Sequence, residues 1–272
     1  MYIAGIDLGT RSAKCVILNW HDGSTQTAAK SSILCGPNLP EVARRAFETA
    51  LQSISLSPSN VEYVASTGYG RYQVDFRDIQ ITEITCHAAA AVHRFSKCTN
   101  VLDIGAMNSR AMRVGPEGRV LNFRMNDKCA SGAGRFLERV ARSLDIPLEE
   151  IGQTALRSAD PQKISSICAV LAESEVINLV TAGKSPEDIL QGAHMAISDR
   201  IATLVKQVGL GSQLVLTGGV SKNEGMVKAL QERLGVQVRI SPDADYMGAL
   251  GAALLGIRRL SRKGLQREVQ NN

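Results

Sequence analysis

Two aspartate–glycine turns, each placed after an apolar run, constrain the fold of this chain more than any other feature. The first turn, Asp7–Ser12, lies within YIAGIDLGTRSAK, and the second turn, Asp103–Asn108, lies within VLDIGAMNSR. Each aspartate ends a predicted strand, and a glycine follows two positions later, at Gly9 and at Gly105. Glycine lets backbone N–H groups approach an anion closely, and a carboxylate can hold hydrated Mg²⁺. The pair predicts a site for a metal-bound polyphosphate.

The same order of predicted strands and helices occurs twice along the chain. This repetition predicts an α/β fold of two similar lobes around a nucleotide cleft, with a helical insertion in the second lobe. The apolar content of 44% is sufficient for two cores. The expected division is residues 1–95 for the first lobe, 96–245 for the second, 246–260 for a C-terminal helix returning to the first lobe, and 261–272 for a basic, frayed tail.

Two further glycine motifs follow, of which the first extends the predicted nucleotide site and the second is a predicted helix-packing motif. Gly218 and Gly219 follow the apolar run LVLT, and a Gly-Gly turn at a strand end lets a flat ring and a sugar lie against bare backbone. Met247–Ala253 places small residues on a predicted helix, which allows close helix packing. Neither a P-loop nor a Rossmann glycine pattern is present in the sequence.

Composition and charge argue against several classes of function. Only 4% of the residues are aromatic, and the net charge of +5 is spread along the chain, so no basic face for nucleic acid is indicated. No targeting segment is visible, and no apolar run approaches the roughly 20 residues that span a bilayer. We therefore expect a cytoplasmic protein that binds neither nucleic acid nor membrane, in which cysteines serve packing, metal binding or catalysis.

Cys129 and Cys168 each lie in the first turn of a predicted helix. The positive end of a helix dipole lowers the pKa of a thiol and stabilises an anion. An iron–sulfur cluster needs four thiolates, so two such cysteines per chain would supply half of a cluster shared by two chains. The alternative is that both are buried small hydrophobes, which the absence of a Cys-x-x-Cys motif favours. The small residues of Ala130–Gly134, in contrast, favour a cluster.

The order of the three turns and the small-residue helix resembles the actin-like (RNase H-like) ATPase superfamily of sugar kinases, actin and heat-shock chaperones. Within it, NDKCASGAGRFLE and SICAVLAESEVI resemble the cluster-binding helices of one family, the activators of 2-hydroxyacyl-CoA dehydratases and the ATPase subunits of benzoyl-CoA reductase. Thr67–Arg71 and Glu83–Ala88 resemble further motifs of that family. The match runs nearly from end to end.

The resemblance implies a set of site residues and cofactors. Asp7 and Asp103 would be catalytic, and Cys129 and Cys168 would bind a 4Fe-4S cluster shared between two subunits. ATP and Mg²⁺ would be held by a larger set: Gly9, Thr10, Arg11, Ser12, Gly105, Ala106, Gly218 and Gly219. The other four cysteines receive no ligand role: Cys15, Cys35, Cys86 and Cys98. His87 is functional by its motif position or, equally, a partly buried, hydrogen-bonded histidine.

The second turn departs from the superfamily pattern. Relatives there usually have two glycines and a further acid, whereas this chain has Ala106, Met107 and Asn108. The departure indicates a subunit that works beside a more complete sister ATPase subunit. We expect the D-type ATPase subunit of benzoyl-CoA reductase, which takes electrons from ferredoxin or flavodoxin and passes them to catalytic reductase subunits. The alternatives are a homodimeric dehydratase activator, a small-molecule kinase and a purely regulatory nucleotide-binding module.

Overall fold

The structure is a computed structural model that describes residues 1–126, 134–164 and 169–270, without the side chains of residues 169–170 and 263–270. The chain divides into two compact units. The first comprises Met1–Arg94, Pro116–Arg119 and Tyr246–Asn272, and the second comprises Phe95–Gly115 and Val120–Asp245. Each unit is built on a five-stranded sheet, which confirms the predicted α/β class.

Ten strands and eight α-helices make up the described part of the chain. The strands are β1 Tyr2–Leu8, β2 Ser12–His21, β3 Ser24–Leu34, β4 Val61–Thr67, β5 Ile79–Gln80, β6 Asn100–Ile104, β7 Ser109–Val114, β8 Val120–Met125, β9 Leu214–Thr217 and β10 Val238–Ile240. The helices are α1 Leu39–Gln52, α2 Glu83–Arg94, α3 Gly134–Ser143, α4 Ile151–Ala155, α5 Ala169–Thr181, α6 Pro186–Val208, α7 Glu224–Leu234 and α8 Met247–Gln270.

The sheet of the first unit has the order β3-β2-β1-β4-β5. Strands β1 to β3 form an antiparallel meander, whereas β4 lies parallel to β1 and β5 parallel to β4. Helix α1 packs on one face, where Phe47 joins Ile6 and Leu8 in the core. Helices α2 and α8 contribute Cys86 and Ala252 to a smaller cluster around Ala65 of β4. Strand β1 is apolar along most of its length because helices cover both of its faces.

Two glycines let α8 pack directly against its neighbours in the first unit. A Cβ on Gly5 of β1 would overlap Ala249 O, and one on Gly251 of α8 would overlap Cys86 O. No side chain can replace glycine there unless the backbone moves. The small-residue motif Met247–Ala253 is confirmed as part of helix α8, and its Gly251 lies at a backbone-to-backbone contact with α2.

The second unit repeats the same sheet plan with the order β10-β9-β6-β7-β8. Strands β6, β7 and β8 are antiparallel neighbours, and β9 lies parallel to both β6 and β10. Helices α3 to α6 come between β8 and β9, which is the predicted helical insertion. One large core joins the sheet to these helices and to α7, with Phe136 of α3, Ile197 of α6 and Leu230 of α7 among its buried members.

The structure corrects some sequence-based boundaries. The sequence predicts strands at Gln213–Thr217 and Val236–Ile240 and a helix at Asn223–Leu234. In the structure β9 begins at Leu214, β10 begins at Val238, and Asn223 caps α7 rather than belonging to it. The residues expected as a separate frayed tail from position 261 continue α8 as far as Gln270, because the isolated glycine in that stretch is tolerated inside a helix and no proline follows it. Among the described residues, no helix is both long enough and apolar enough to cross a membrane.

Candidate functional site

The first turn joins β1 to β2 and is closed by its own backbone. Gly9 N–H donates to Ser12 O at 3.1 Å. Cys35, the residue after β3, stabilises the turn through two hydrogen bonds. Its N–H donates to Arg11 O at 2.9 Å, and its thiol donates to Gly9 O at 3.4 Å. Thr10 and Ser12 are partly exposed and Arg11 is exposed. The predicted phosphate-binding positions are thus accessible on a turn with a fixed backbone.

The carboxylate of Asp7 is partly exposed and lies among closely packed groups. Gly68, which follows β4 and has φ +93°, would place a Cβ 2.6 Å from Asp7 Oδ1. Gly248, in the first turn of α8, would place a Cβ 2.5 Å from Asp7 Oδ2 and 3.1 Å from His87 Nε2. His87 itself is 4% exposed. The sequence leaves the role of His87 open and does not connect Gly68 or Gly248 to Asp7, because only the fold brings them together.

The second turn has the same backbone closure as the first. Gly105 N–H donates to Asn108 O at 2.9 Å. Ala106 does not have a positive φ, so alanine is unstrained at this position of the turn. Within the described part of the chain, the N–H groups of Ala106 and Met107 donate to no carbonyl. The second turn therefore offers two backbone donors to a ligand despite its altered sequence.

Asp103, in contrast to Asp7, is buried in an ion pair. Arg110 Nη1 donates to Asp103 Oδ2 at 2.6 Å, and the side chains of Arg110 and Asp103 are 7% and 3% exposed. Gly218 has φ +88°, and a Cβ there would lie 2.5 Å from Asp103 Oδ1. The predicted catalytic role of Asp103 stays a prediction, and the geometry adds a structural role that the sequence did not indicate.

The two sheets place these aspartates in equivalent surroundings. In the first sheet Asp7 lies opposite Lys14 on β2 and Thr67 on β4. In the second sheet Asp103 has Arg110 and a threonine at the same two register positions. Lys14, which was not among the predicted site residues, thus occupies the position equivalent to Arg110. The sequence feature that identifies Lys14 is its spacing: Lys14 follows Asp7 by seven residues, as Arg110 follows Asp103.

The Gly218-Gly219 turn has an open side. Gly218 N–H donates to Ala244 O at 2.9 Å, and Ser221 Oγ donates to Gly218 O at 2.6 Å, so the turn is well fixed. A Cβ on Gly219 would meet no heavy atom of the described residues within 4 Å. Against that part of the chain, Gly219 leaves bare backbone available to a flat ligand.

The predicted cluster ligands cannot be placed. Cys129 and Cys168 both lie outside the described residues, and no group of three or more potential metal-binding side chains occurs within them. The remaining cysteines are in packing environments. Burial raises the pKa of the Cys86 and Cys98 thiols to about 12 and that of the Cys15 thiol still further, which favours the neutral thiol over a thiolate ligand.

The described residues fit a phosphate group with hydrated Mg²⁺ at the first turn, where the partly exposed Asp7 lies beside the turn backbone. They fit a phosphate at the second turn through the amides of Ala106 and Met107. The second turn does not present an open carboxylate, because Asp103 is buried against Arg110. The two turns are therefore alike in backbone and different in charge.

A family model described as the BadF/BadG/BcrA/BcrD ATPase family matches residues 4–256. The D subunit of benzoyl-CoA reductase from Thauera aromatica is 40% identical over 98% of this chain and 98% of its own length. The activator of lactoyl-CoA dehydratase of Anaerotignum propionicum is 38% identical over 97% of this chain and 100% of its own length. The chain is therefore similar to a reductase subunit and to a dehydratase activator to nearly the same degree.

Solved structures agree with the sequence comparisons. Component A of the (R)-2-hydroxyglutaryl-CoA dehydratase of Acidaminococcus fermentans superposes with a TM-score of 0.90 at 36% identity, covering 96% of this chain and 99% of that one. The 2-hydroxyisocaproyl-CoA dehydratase activator of Clostridium difficile, solved with bound ADPNP, gives 0.92 at 33% identity, covering 98% of each chain. A hexokinase of Thermus thermophilus, at 0.53 and 18% identity over 96% of this chain and 100% of that one, shares the fold alone.

Proposed function

The chain belongs to the BadF/BadG/BcrA/BcrD ATPase family, as its motifs predict, and on that premise we propose that it is the D-type ATPase subunit of an ATP-dependent benzoyl-CoA reductase. In this role it hydrolyses ATP and delivers electrons to catalytic subunits that reduce an aromatic ring. It does not itself bind the aromatic thioester.

ATP is held chiefly by backbone. At the first turn Asp7 holds hydrated Mg²⁺, while Gly9 to Ser12 surround phosphate oxygens. At the second turn Ala106 contributes its amide together with that of Met107, while Gly105, whose own N–H closes the turn on Asn108 O, lets the phosphate approach the backbone. Gly218 and Gly219 receive the adenosine, with the open backbone at Gly219 supporting this role. Because amide groups do most of the binding, the loss of a glycine at Ala106 does not prevent it.

Cys129 and Cys168 are proposed to bind a 4Fe-4S cluster together with the equivalent pair of a sister ATPase subunit. A cluster in this position supplies one-electron chemistry between a reduced ferredoxin or flavodoxin and the catalytic subunits. The sequence predicts each of these thiolates in the first turn of a helix. The other cysteines of the described residues have raised thiol pKa values and are not proposed as ligands.

One observation carries the choice of the D-type subunit: the second turn offers no accessible acid. Asp103 is buried against Arg110, and the positions that follow Gly105 are Ala106, Met107 and Asn108. Without a second free carboxylate to orient water or metal, we expect slow unaided hydrolysis. A subunit of this kind needs a sister with a complete turn, whereas a homodimeric activator needs a complete turn in every copy.

The alternative is a homodimeric activator of a 2-hydroxyacyl-CoA dehydratase, which the relative from Anaerotignum propionicum supports at 38% identity. Anaerobic purification of the chain expressed alone, followed by gel filtration and iron analysis, separates the two. We expect no stable cluster and little ATP hydrolysis in the chain alone, and both properties after co-expression with a sister ATPase subunit. A brown homodimer with one cluster per two chains and full ATPase activity would favour the activator.

Cysteine variants test the ligand assignment separately from activity. Cys129→Ser and Cys168→Ser should each abolish cluster iron and its EPR signal in the assembled protein. Cys98→Ser is the matched control, because Cys98 is buried and bonds to Asn100 O. A Cys129→Ser/Cys168→Ser protein that keeps its iron would refute the assignment. Phosphoryl transfer to a small acceptor by iron-free protein would instead indicate a kinase, and ATP binding without any redox change a regulatory module.

A further inference from the structure

A cavity in the first unit is formed by described residues that have no predicted role in nucleotide binding. Its volume is about 260 Å³, and its walls come from the β2–β3 hairpin, the second half of α2 and the middle of α8. The side chains that line it include Trp20, Thr25, Val92, His93, Ile257 and Arg258. Pockets for drug-sized ligands measure roughly 300–1,000 Å³, so this cavity suits a smaller molecule.

One part of the cavity lining is apolar. Ile257 of α8 is 7% exposed, while Trp20 of β2 and Val92 of α2 are partly buried. An apolar group that entered the cavity would cover the exposed part of these side chains, and the burial of apolar surface is favourable. The indole of Trp20 adds a large, rigid surface with a polar N–H at one edge. This lining therefore favours a ligand with an apolar body.

The cavity also has a cation, Arg258 of α8. Arg258 Nη1 donates to Glu117 O at 3.1 Å, and within the described part of the chain no carboxylate forms an ion pair with Arg258. A guanidinium carries five N–H donors in a planar fork that matches the geometry of a carboxylate. The bond to Glu117 O therefore leaves most of the fork open to a ligand.

The carbonyl that accepts from Arg258 is itself held in place. The turn Pro116–Gly118 belongs to the first unit and packs directly on α2, since a Cβ on Gly118 would lie 2.9 Å from Ala89 Cα. Because the turn cannot move closer to α2, Glu117 O fixes one side of the guanidinium. A donor that is already ordered loses less conformational freedom when a ligand binds.

Two further donors of the cavity have no protein acceptor. Among the described residues, neither the indole N–H of Trp20 nor the ring of His93 makes a hydrogen bond. Burial and the nearby positive charges of Arg94 and Arg258 lower the pKa of His93 below 6.5. Open N–H donors beside two arginines favour an anion over a neutral ligand.

No carboxylate of the described residues lines the cavity. Asp22 precedes the lining residue Gly23, but its Oδ2 lies 2.7 Å from His21 Nδ1, so this carboxylate is engaged within the hairpin turn. The lining thus combines apolar surface, one arginine and additional N–H donors without a negative charge of its own. This combination fits an organic anion rather than a cation.

We propose that this cavity is a binding site for a small carboxylate with an apolar body. The carboxylate accepts hydrogen bonds from the open side of Arg258 and from His93. The apolar body lies against Trp20, Val92 and Ile257. The site goes beyond the proposed ATPase function, because binding there needs neither nucleotide nor a cluster.

Hexanoate is the probe, because it joins one carboxylate to an unbranched apolar chain. Trp20 is the one tryptophan of the chain and lines the cavity, so its single indole N–H signal in NMR and its fluorescence report on the site. In a titration of the full chain without nucleotide, we expect a saturable change with a Kd of about 5 mM or tighter, as for a small ligand with few polar contacts. Hexanamide, the neutral isostere, and acetate, which lacks the apolar chain, should each bind about tenfold more weakly or worse.

Arg258→Met should weaken hexanoate binding by about tenfold or more, because a hydrogen bond between charged groups is lost. It should leave the weak binding of hexanamide unchanged, and Arg258→Lys, which keeps the positive charge, should restore most of the affinity for hexanoate. Arg45→Met is the matched control, since Arg45 is an exposed arginine of α1 that does not line the cavity. Should Arg258→Met not fold, Thr25→Glu places a carboxylate in the cavity from the hairpin and should weaken hexanoate binding by a similar factor.

Three results would overturn the proposal. The first is a wild-type Kd for hexanoate weaker than about 5 mM. The second is binding of acetate or hexanamide as tight as that of hexanoate. The third is unchanged hexanoate binding in Arg258→Met, or in Thr25→Glu where that variant is used. ATP binding is measured separately in the same preparations, and its absence would count against the proposed function but not against this site.

Discussion

Breaking the buried ion pair between Asp103 and Arg110 should destabilise the second unit far more than breaking an exposed pair. Arg110 Nη1 lies 2.6 Å from Asp103 Oδ2, and both side chains are almost fully buried. Arg110→Met removes the positive charge while keeping much of the length of the side chain. It leaves the carboxylate of Asp103 in a site without its cationic partner.

The expected magnitude follows from this burial. Removing one member of a buried pair costs about 3–5 kcal/mol, because the other charge stays desolvated. For a unit of about 150 residues this corresponds to a fall of about 6–20 °C in the unfolding midpoint. The double variant Asp103→Leu/Arg110→Met should recover to within about 1 kcal/mol of wild type, since apolar replacements of buried pairs are often neutral.

The exposed pair between Arg44 and Asp75 is the matched control. Its N···O distance is 3.0 Å, but the side chains are 45% and 60% exposed, so Arg44→Met should cost less than about 1 kcal/mol. Unfolding is followed by far-ultraviolet circular dichroism and by hydrogen exchange in β6 and β7. Trp20, the one tryptophan of the chain, lies in the first unit, and its fluorescence reports whether that unit is unaffected.

Two results would refute this reasoning. An Arg110→Met protein no less stable than Arg44→Met would mean that the buried pair contributes no more than an exposed one. A double variant no more stable than the singles would show that the loss comes from packing rather than from an uncompensated charge. In a stable double variant co-expressed with a sister ATPase subunit, nucleotide binding with loss of the ATP hydrolysis that the wild-type assembly shows would then support the predicted catalytic role of Asp103 in addition to its structural one.

Three further changes have defined outcomes. Hydrogen bonds, chiefly from the backbone N–H of Asp160, lower the pKa of Asp188 from 3.8 to about 2. In urea titrations, wild type should therefore be more stable than Asp188→Asn above pH 3.8, and this advantage should disappear as the pH falls towards 2. Burial lowers the pKa of His194 below 6.5, so wild type should lose stability as the pH falls below 6.5 while His194→Gln shows a flatter profile in the same titrations. Gly251→Ala should cost about 1–3 kcal/mol or more by thermal unfolding, because its Cβ would overlap a carbonyl of α2, whereas Gly36→Ala should change stability by less than about 0.5 kcal/mol.

The sheets could be predicted from the sequence because most strands are apolar runs bounded by turn residues. For example, the sequence predicts strands at Asn100–Ile104 and Val120–Met125, and β6 and β8 have these bounds. The repeated aspartate–glycine turn indicated the two-sheet plan, since both turns follow the first strand of a meander. Helix α8 extends beyond the predicted end because the single glycine after Ile257 is not followed by a proline or a second turn residue that would stop it.

The details of the site could not be predicted in the same way, because they depend on contacts between strands and helices that are distant in sequence. Arg110 pairs with Asp103 through the register of β6 and β7, and nothing in the local sequence distinguishes it from a surface arginine. Gly248 reads as a small helical residue, whereas in the fold it makes room for the carboxylate of Asp7. The binding roles of the selected residues, including Cys129 and Cys168, remain predictions.

Residues that follow β3 and β8 form hydrogen bonds at or beside the two aspartate–glycine turns, and these bonds determine where the fold tolerates a change of sequence. In the first unit Cys35, the residue after β3, bonds to two carbonyls of the first turn. In the second unit Asn126 bonds to Ser109, beside the second turn, and Gly134 bonds to Gly105 O within it. The residues between Asn126 and Gly134 could therefore be exchanged for a different segment without altering either sheet, because both ends of that segment are fixed at the second turn.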